Sequence, residues 1–96
     1  MNLIFTDEAS ADLDDIWSYS LQNWGAVRCA EYVEHVVETA EAIARGELSG
    51  IATPDIRPGL RRQIAGSHVI WFRAEPGLLR VVRVLHQSRD AGRWMG

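Results

Sequence analysis

The segment RVVRVLHQSRD, residues 80–90, ends an apolar strand pattern with a histidine, a serine and three arginines. His86 could serve as a general acid or base while neighbouring arginines hold a phosphate, the equipment a ribonuclease uses to move a proton and stabilise a phosphorane. Strand parity sets Arg80 on the same face as His86 and Arg83 on the other. The structural alternative is a histidine that closes a strand end by hydrogen bonding to nearby backbone or to Asp90. Ser88 lacks the strand-turn-helix elbow that would make it a nucleophile. Arg57, Arg61 and Arg62 of IRPGLRR could join Arg73 and Arg83 in a basic patch, with Trp71, Phe72 and Trp94 as interleaved aromatics. Whichever of Trp71 and Phe72 faces the helices belongs to the core. His68 at a strand start and His35 among glutamates read as structural or solvated. There is no Gly-rich phosphate loop and no Cys/His cluster with zinc spacing, so neither a metal nor a cofactor is expected.

The elements that must position these groups are legible from periodicity. NLIF, residues 2–5, reads as a short strand, and Thr6 or Asp7 can cap the helix that follows. Ala9, Leu13, Ile16, Trp17 and Ser20 recur at helical spacing, with Asp7, Glu8, Asp12, Asp14 and Asp15 in the first turns, where carboxylates suit the positive end of the helix dipole. These acids read as a solvent face without chemistry. Trp24-Gly25 breaks the pattern. A second helix aligns Cys29, Val33, Val36, Val37, Ala40, Ile43 and Ala44, pairs Glu41 with Arg45, and stops at Gly46. Residues 46–59 hold three glycines and two prolines and read as a crossing loop. LRRQIA, HVIWFRA and LLRVVRVLH then form an antiparallel meander through short turns. The tail from Gln87 is a turn or helical stub.

This order, β-α-α-β-β-β, predicts a single α+β domain over residues 1–96, a helical hairpin packed on one face of a small twisted, mainly antiparallel sheet. The last strand is apolar on both faces. Two helices cover one of them, which leaves the expectation of a large exposed apolar face rimmed by arginine and awaiting a second chain.

Composition bounds the rest. Ninety-six residues, 47% of them hydrophobic, suffice for one core, and the single cysteine excludes an internal disulfide. The N-terminal apolar run is too short for a signal segment and no membrane-length stretch exists, so a soluble, cytoplasmic protein is expected. The net charge of −3 conceals a division: residues 1–48 carry ten acids and two arginines, residues 49–96 three acids and eight arginines. All ten cations are arginine, suited to planar bidentate contact with carboxylate or phosphate, so an acidic protein or a nucleic acid is the partner the basic half implies.

Over nearly its whole length the chain resembles the ParE toxins of type II toxin–antitoxin pairs, in the RelE/ParE superfamily. The likeness is carried by DEASADLDDIWSYS, by Trp24-Gly25 with Ala30 and Tyr32, by DIRPGLRR, GSHVIWFR and VVRVLHQSRD, in that order. At residues 85–90 it reads LHQSRD where many ParE-like chains read close to LHQRMD, so Ser88-Arg89 replaces an arginine-methionine pair. The resemblance implies a ParD-like antitoxin whose acidic, apolar segment folds around the toxin, with Arg57, Arg61, Arg73, Arg80 and Arg83 and an anchor at Trp71 or Phe72 as its contacts. It also implies DNA gyrase as the target, met by Arg89, Arg93 and Trp94, with no direct DNA binding by the toxin alone and no membrane. The superfamily's RelE-like branch instead cleaves messenger RNA on the ribosome, commonly with lysines and a C-terminal tyrosine. This chain has no lysine and holds both tyrosines, Tyr19 and Tyr32, in its helical half. An interferase built here would rest on His86 with Arg61, Arg62 and Arg83; a toxin-like binding module without toxicity is the third alternative.

Overall fold

The computed structural model describes residues 1–95; Gly96, the last residue of the expected single domain, lies outside the described residues. Strand β1 (Asn2–Phe5) leads into helices α1 (Asp7–Trp24) and α2 (Ala26–Ala44), then strands β2 (Ile51–Ala52), β3 (Arg61–Ala65), β4 (His68–Glu75) and β5 (Leu78–His86), and a short helix α3 (Ala91–Met95). The strands form one sheet in the order β1-β5-β4-β3-β2, with β1 parallel to β5 and the other pairs antiparallel.

Local chemistry accounts for the ends of the helices. Thr6 is the N-cap of α1: its Oγ1 accepts from the Ala9 N–H at 3.1 Å and donates to the Val82 carbonyl at 2.9 Å, tying the helix start to β5. Gly25, at φ 84°, separates the two helices in a conformation that a side chain would disfavour. At the end of α2 the Gly46 N–H reaches the Ile43 carbonyl and the Glu47 N–H the Ala42 carbonyl, the paired bonds of a Schellman stop, with Gly46 at φ 81°. Arg45 does not pair along the helix with Glu41 as spacing predicts; its Nε meets Glu47 at 2.6 Å, beyond the turn.

Two clusters of side chains hold the layers together. On the helix side Ala9, Ile16, Val36, Ala40 and Ile43 pack against Ala65, Ile70, Phe72, Leu79, Val81 and Val84. On the far side Leu60, Val69, Trp71, Leu85 and Ala91 form a second cluster, with Ile56 and Val82 against it. The expected large uncovered apolar face is therefore absent. The connection before β3 folds back on itself, with Thr53 and Leu60 bonded through both N–H and Oγ1, and lays Ile56 and Leu60 over Trp71 while Ala91 covers the other end. Trp71 is 4% exposed and Phe72 1%, so each has its own core and neither is available as an anchor for a partner. The hydrophobic surface that stays open on the far side includes Ile51 and Ile64, at 61% and 60%, and Ile4 of β1.

One irregularity sets the geometry of everything at the strand end. From Phe72↔Val81 to Glu75↔Leu78 the β4–β5 register is regular, but the next pair is Trp71↔Arg83, so Val82 is an extra residue in β5. Side chains that parity would send to one face are thereby exchanged beyond it: Val84 joins the helix-side core and Leu85 the far one. Arg80 falls on the far face by its partner Arg73, Arg83, next to the extra residue, reaches across the open edge to α1, and His86 falls opposite His68 on the helix face. The prediction that Arg80 and His86 share a face is overturned by this single insertion.

Candidate functional site

Strand β1 accompanies β5 only as far as Phe5↔Val81, which leaves the edge of β5 beyond that point without a strand partner. Asp12 of α1 occupies the gap. Its carboxylate accepts from the Val84 N–H at 2.9 Å and from Arg83 Nε and Nη2, each at 2.8 Å. Both side chains are largely buried, 11% and 15% exposed, and the bidentate bond to Asp12 is the main reason the Arg83 guanidinium holds its proton more tightly than usual. Glu8, more distant at 3.7 Å, adds to the same field. The reading of the α1 acids as a plain solvent face is corrected at Asp12, which closes the sheet edge. A signal for it existed in the mismatch between a four-residue β1 and a nine-residue β5, whose surplus backbone needed a partner.

Beside this pair opens a cleft of about 620 Å³ between α1, the ends of β4 and β5, and α3, lined among others by Tyr19, Trp24, His68, His86, Arg89 and Trp94. A chain of edge-to-face rings runs along it: Tyr19 to Trp24 at 6.4 Å, Trp24 to Tyr32 at 5.5 Å, Tyr32 to His68 at 5.5 Å and His68 to His86 at 5.4 Å between centroids. His68, expected to be merely structural or solvated, is thus central, and it is the Val82 insertion that brings it opposite His86. Were Val82 paired with Trp71 instead of bulged, the regular register would place Leu85 there.

Hydrogen bonds engage Nδ1 of both imidazoles. Tyr32 Oη accepts from the Ser67 N–H at 2.9 Å and lies 2.6 Å from His68 Nδ1 and 3.5 Å from the Ala65 carbonyl, so it either donates to the imidazole or accepts from it while donating to the carbonyl. The Ser88 N–H donates to His86 Nδ1 at 3.1 Å, and the Ser88 hydroxyl lies 2.8 Å from the same atom. The backbone donor makes Nδ1 of a neutral His86 an acceptor and leaves the ring proton on Nε2. His68 is held neutral further down in pH than a free histidine, chiefly by burial and then by the neighbouring His86, against a smaller opposing pull from Asp12. His86 therefore offers an N–H donor and no lone pair to a hydroxyl.

The remaining arginines are dispersed. Arg61, paired with Phe72, donates to the carbonyls of Ser49 and Gly50 at 2.9 and 3.3 Å. Arg62, opposite Trp71, is exposed on the far face. Arg73 donates to the Pro58 carbonyl at 2.8 Å and Arg80 to Glu75 at 2.7 Å, both on that face. Arg57 stands in the loop that covers it. Arg89 lies on the Trp94 ring at 4.3 Å, and Arg93 is exposed on α3. The set His86, Arg61, Arg62 and Arg83 proposed for RNA cleavage is not assembled at one place. Among the described residues no group of three or more His, Cys, Asp or Glu side chains is placed to hold a metal ion, and no helix is long and apolar enough to cross a membrane.

A helical hairpin on a five-stranded mixed sheet is the RelE/ParE-like α+β fold. The fold matches that of a solved structure described as the chromosomal ParDE TA system from P. aeruginosa, with a TM-score of 0.77 at 24% identity, covering 90% of this chain and 95% of that one. The family model described as ParE toxin of type II toxin-antitoxin system, parDE, matches residues 3–91. Toxin ParE1 of Caulobacter vibrioides is 44% identical over 90 residues, covering 92% of this chain and 91% of its own. Toxin ParE1 of Mycobacterium tuberculosis is 34% identical over 91 residues, 94% and 93% of the two chains. Toxin ParE of Escherichia coli is 31% identical over 90 residues, 91% and 85% of the two chains. The chain belongs to the ParE toxin family of type II toxin–antitoxin systems.

Proposed function

We propose that this toxin acts by binding, with DNA gyrase as its target, and is neutralised by a ParD-like antitoxin seated on the far face of the sheet. The observation that carries the reading is that the would-be nuclease groups do not converge as free groups: His86 and Arg83 line one cleft, but His86 has Nδ1 engaged and Arg83 is closed onto Asp12, while Arg61 is turned to the Ser49 carbonyl and Arg62 projects from the far face. Acid–base cleavage needs a proton carrier and phosphate clamps around one scissile bond. For the antitoxin, the far face supplies exposed Ile51 and Ile64 beside Arg62, Arg73 and Arg80, with Arg57 on the covering loop, a surface suited to an acidic, apolar segment that orders on binding. From the sequence-based set this keeps Arg57, Arg73 and Arg80, adds Arg62, Ile51 and Ile64, and releases Arg61, Arg83, Trp71 and Phe72.

The test is expression without antitoxin together with a plasmid supercoiling assay on the purified protein. Growth arrest with impaired supercoiling is expected, and His86→Ala should inhibit as the wild type does. Unchanged supercoiling with ribosome-dependent transcript cleavage that His86→Ala abolishes would establish an interferase instead, and harmless expression would indicate a binding module. Paired reversal, Arg62→Glu with Arg73→Glu, should weaken co-purification with the co-encoded antitoxin, at least about thirtyfold in Kd if the contacts are buried.

A further inference from the structure

The cleft holds several groups that the chain does not satisfy by itself. Asp12 and Arg83 are matched to each other, and the Nδ1 atoms of both histidines are occupied. What remains lining the space is a pair of donors, His86 Nε2–H and the Arg89 guanidinium, with His68 beside them, against one lining carboxylate without an ion pair, Asp15. Arg89 is held flat on Trp94, and among the described residues no carboxylate lies within 4.0 Å of it. A guanidinium oriented by an aromatic face and lacking a counter-ion is a preformed receptor for a carboxylate. Around these donors stand three large rings that folding leaves open, Tyr19 at 64%, Trp24 at 40% and Trp94 at 45% exposure. Tyrosine, tryptophan and arginine around a concave space are the composition of a protein-binding hot spot, and about 620 Å³ accommodates a large apolar side chain.

We infer that this cleft is where the toxin grips its protein target, receiving a segment in which a carboxylate adjoins a large apolar side chain, the carboxylate meeting Arg89 and the His86 N–H and the apolar side chain entering between Trp24 and Trp94. The inference rests on the reading above that the chain acts on gyrase by binding. It enlarges the target surface from the C-terminal residues Arg89, Arg93 and Trp94 to the end of α1, where Tyr19 and Trp24 lie. A protein segment fits better than single-stranded RNA for two reasons. Each tryptophan already carries a guanidinium, Arg89 at 4.3 Å from the Trp94 centroid and Arg28 at 5.9 Å from that of Trp24, which a base stacking on that face would displace. Asp15 lies at the wall, while Arg62, Arg73 and Arg80, which a phosphate backbone would require, stand across the sheet. The target fits better than the antitoxin because the far face provides the larger basic and apolar surface for the latter.

Supercoiling by purified gyrase holoenzyme on relaxed plasmid, titrated with the full-length chain, tests this. Trp24→Ala and Arg89→Glu should each raise the half-inhibitory concentration at least about tenfold, with Arg89→Gln between wild type and Arg89→Glu. Glu38→Arg, on the exposed face of α2, should inhibit as the wild type does. All four positions are exposed, and matching thermal unfolding confirms that a loss is not misfolding; Trp94→Ala serves where Trp24→Ala proves unstable. A wild type that inhibits together with cleft variants that inhibit equally overturns the inference and leaves the gyrase reading standing. A wild type without effect on gyrase overturns both. A labelled single-stranded RNA bound by the wild type and released by Arg89→Glu would assign the cleft to nucleic acid and also overturn it.

Discussion

The two faces of the sheet treat the same residue type in opposite ways. At the helix-side edge of β5, Arg83 is closed by a bidentate carboxylate, and both partners are mostly withdrawn from water. On the far face Arg73 rests against a backbone carbonyl and Arg80 against a glutamate that is 39% exposed, while Arg62 is open. A guanidinium paired with a buried carboxylate holds two elements of the chain together and has no charge left for another molecule. One propped on a carbonyl keeps its full charge and is merely aimed. The arginines of this chain therefore divide into one that builds the fold and several that present charge, a division that counting arginines cannot reveal.

The largest effect that would test this division is at Asp12. Asp12→Ala leaves a largely buried guanidinium and the Val84 N–H unpaired, and should cost about 3 kcal/mol in urea unfolding. Glu75→Ala, which removes the partner of Arg80 on the open face, should leave the unfolding midpoint unchanged within error. Equal losses at the two sites would erase the distinction. A second contrast lies at the two ends of β4. Gly66 has φ 62° and a Cβ there would come within 2.8 Å of the Tyr32 ring, so Gly66→Ala should cost about 2 kcal/mol and disturb the Tyr32–His68 contact. Gly77 has φ 71° but open space around it, so Gly77→Ala carries the backbone strain alone, about 1 kcal/mol. The smallest effect is one of pH. His68 has a depressed folded pKa, so as pH falls below the ordinary value of 6.5 the unfolded chain takes up the proton first and stability declines toward the folded pKa. Above 6.5 this site contributes no slope. His68→Gln should flatten that part of the stability profile, measured by denaturant unfolding from pH 8 to 5.

Most of the secondary structure was readable because it is coded locally. The Thr6 cap, the Gly25 break and the Gly46 stop are each dictated by one residue's backbone or side-chain chemistry, and the meander by branched and aromatic runs between short turns. Strand β2 escaped because two residues carry no period. The covering of the far face escaped because the loop's Ile56 and Leu60 are separated by proline and glycine, and only a fold brings them over Trp71. At the candidate site, His86 and Trp94 stand out by type, but His68 and Asp12 acquire their places from neighbours distant in the chain.

By itself the sequence determined the order of elements, the division of charge between helical and sheet halves, and the likeness to a toxin family, since each follows from residue types along a line. The tertiary structure decided which arginine is silent and which residues meet. Two features are the reason: Val82 is bulged out of the pairing, which reverses the facing of β5 beyond it and sets His86 against His68, and β1 stops at Phe5, which leaves an edge that Asp12 closes. A period of two predicts facing only until one residue is inserted, and which residue takes the bulge is a choice made by packing on both sides of the sheet.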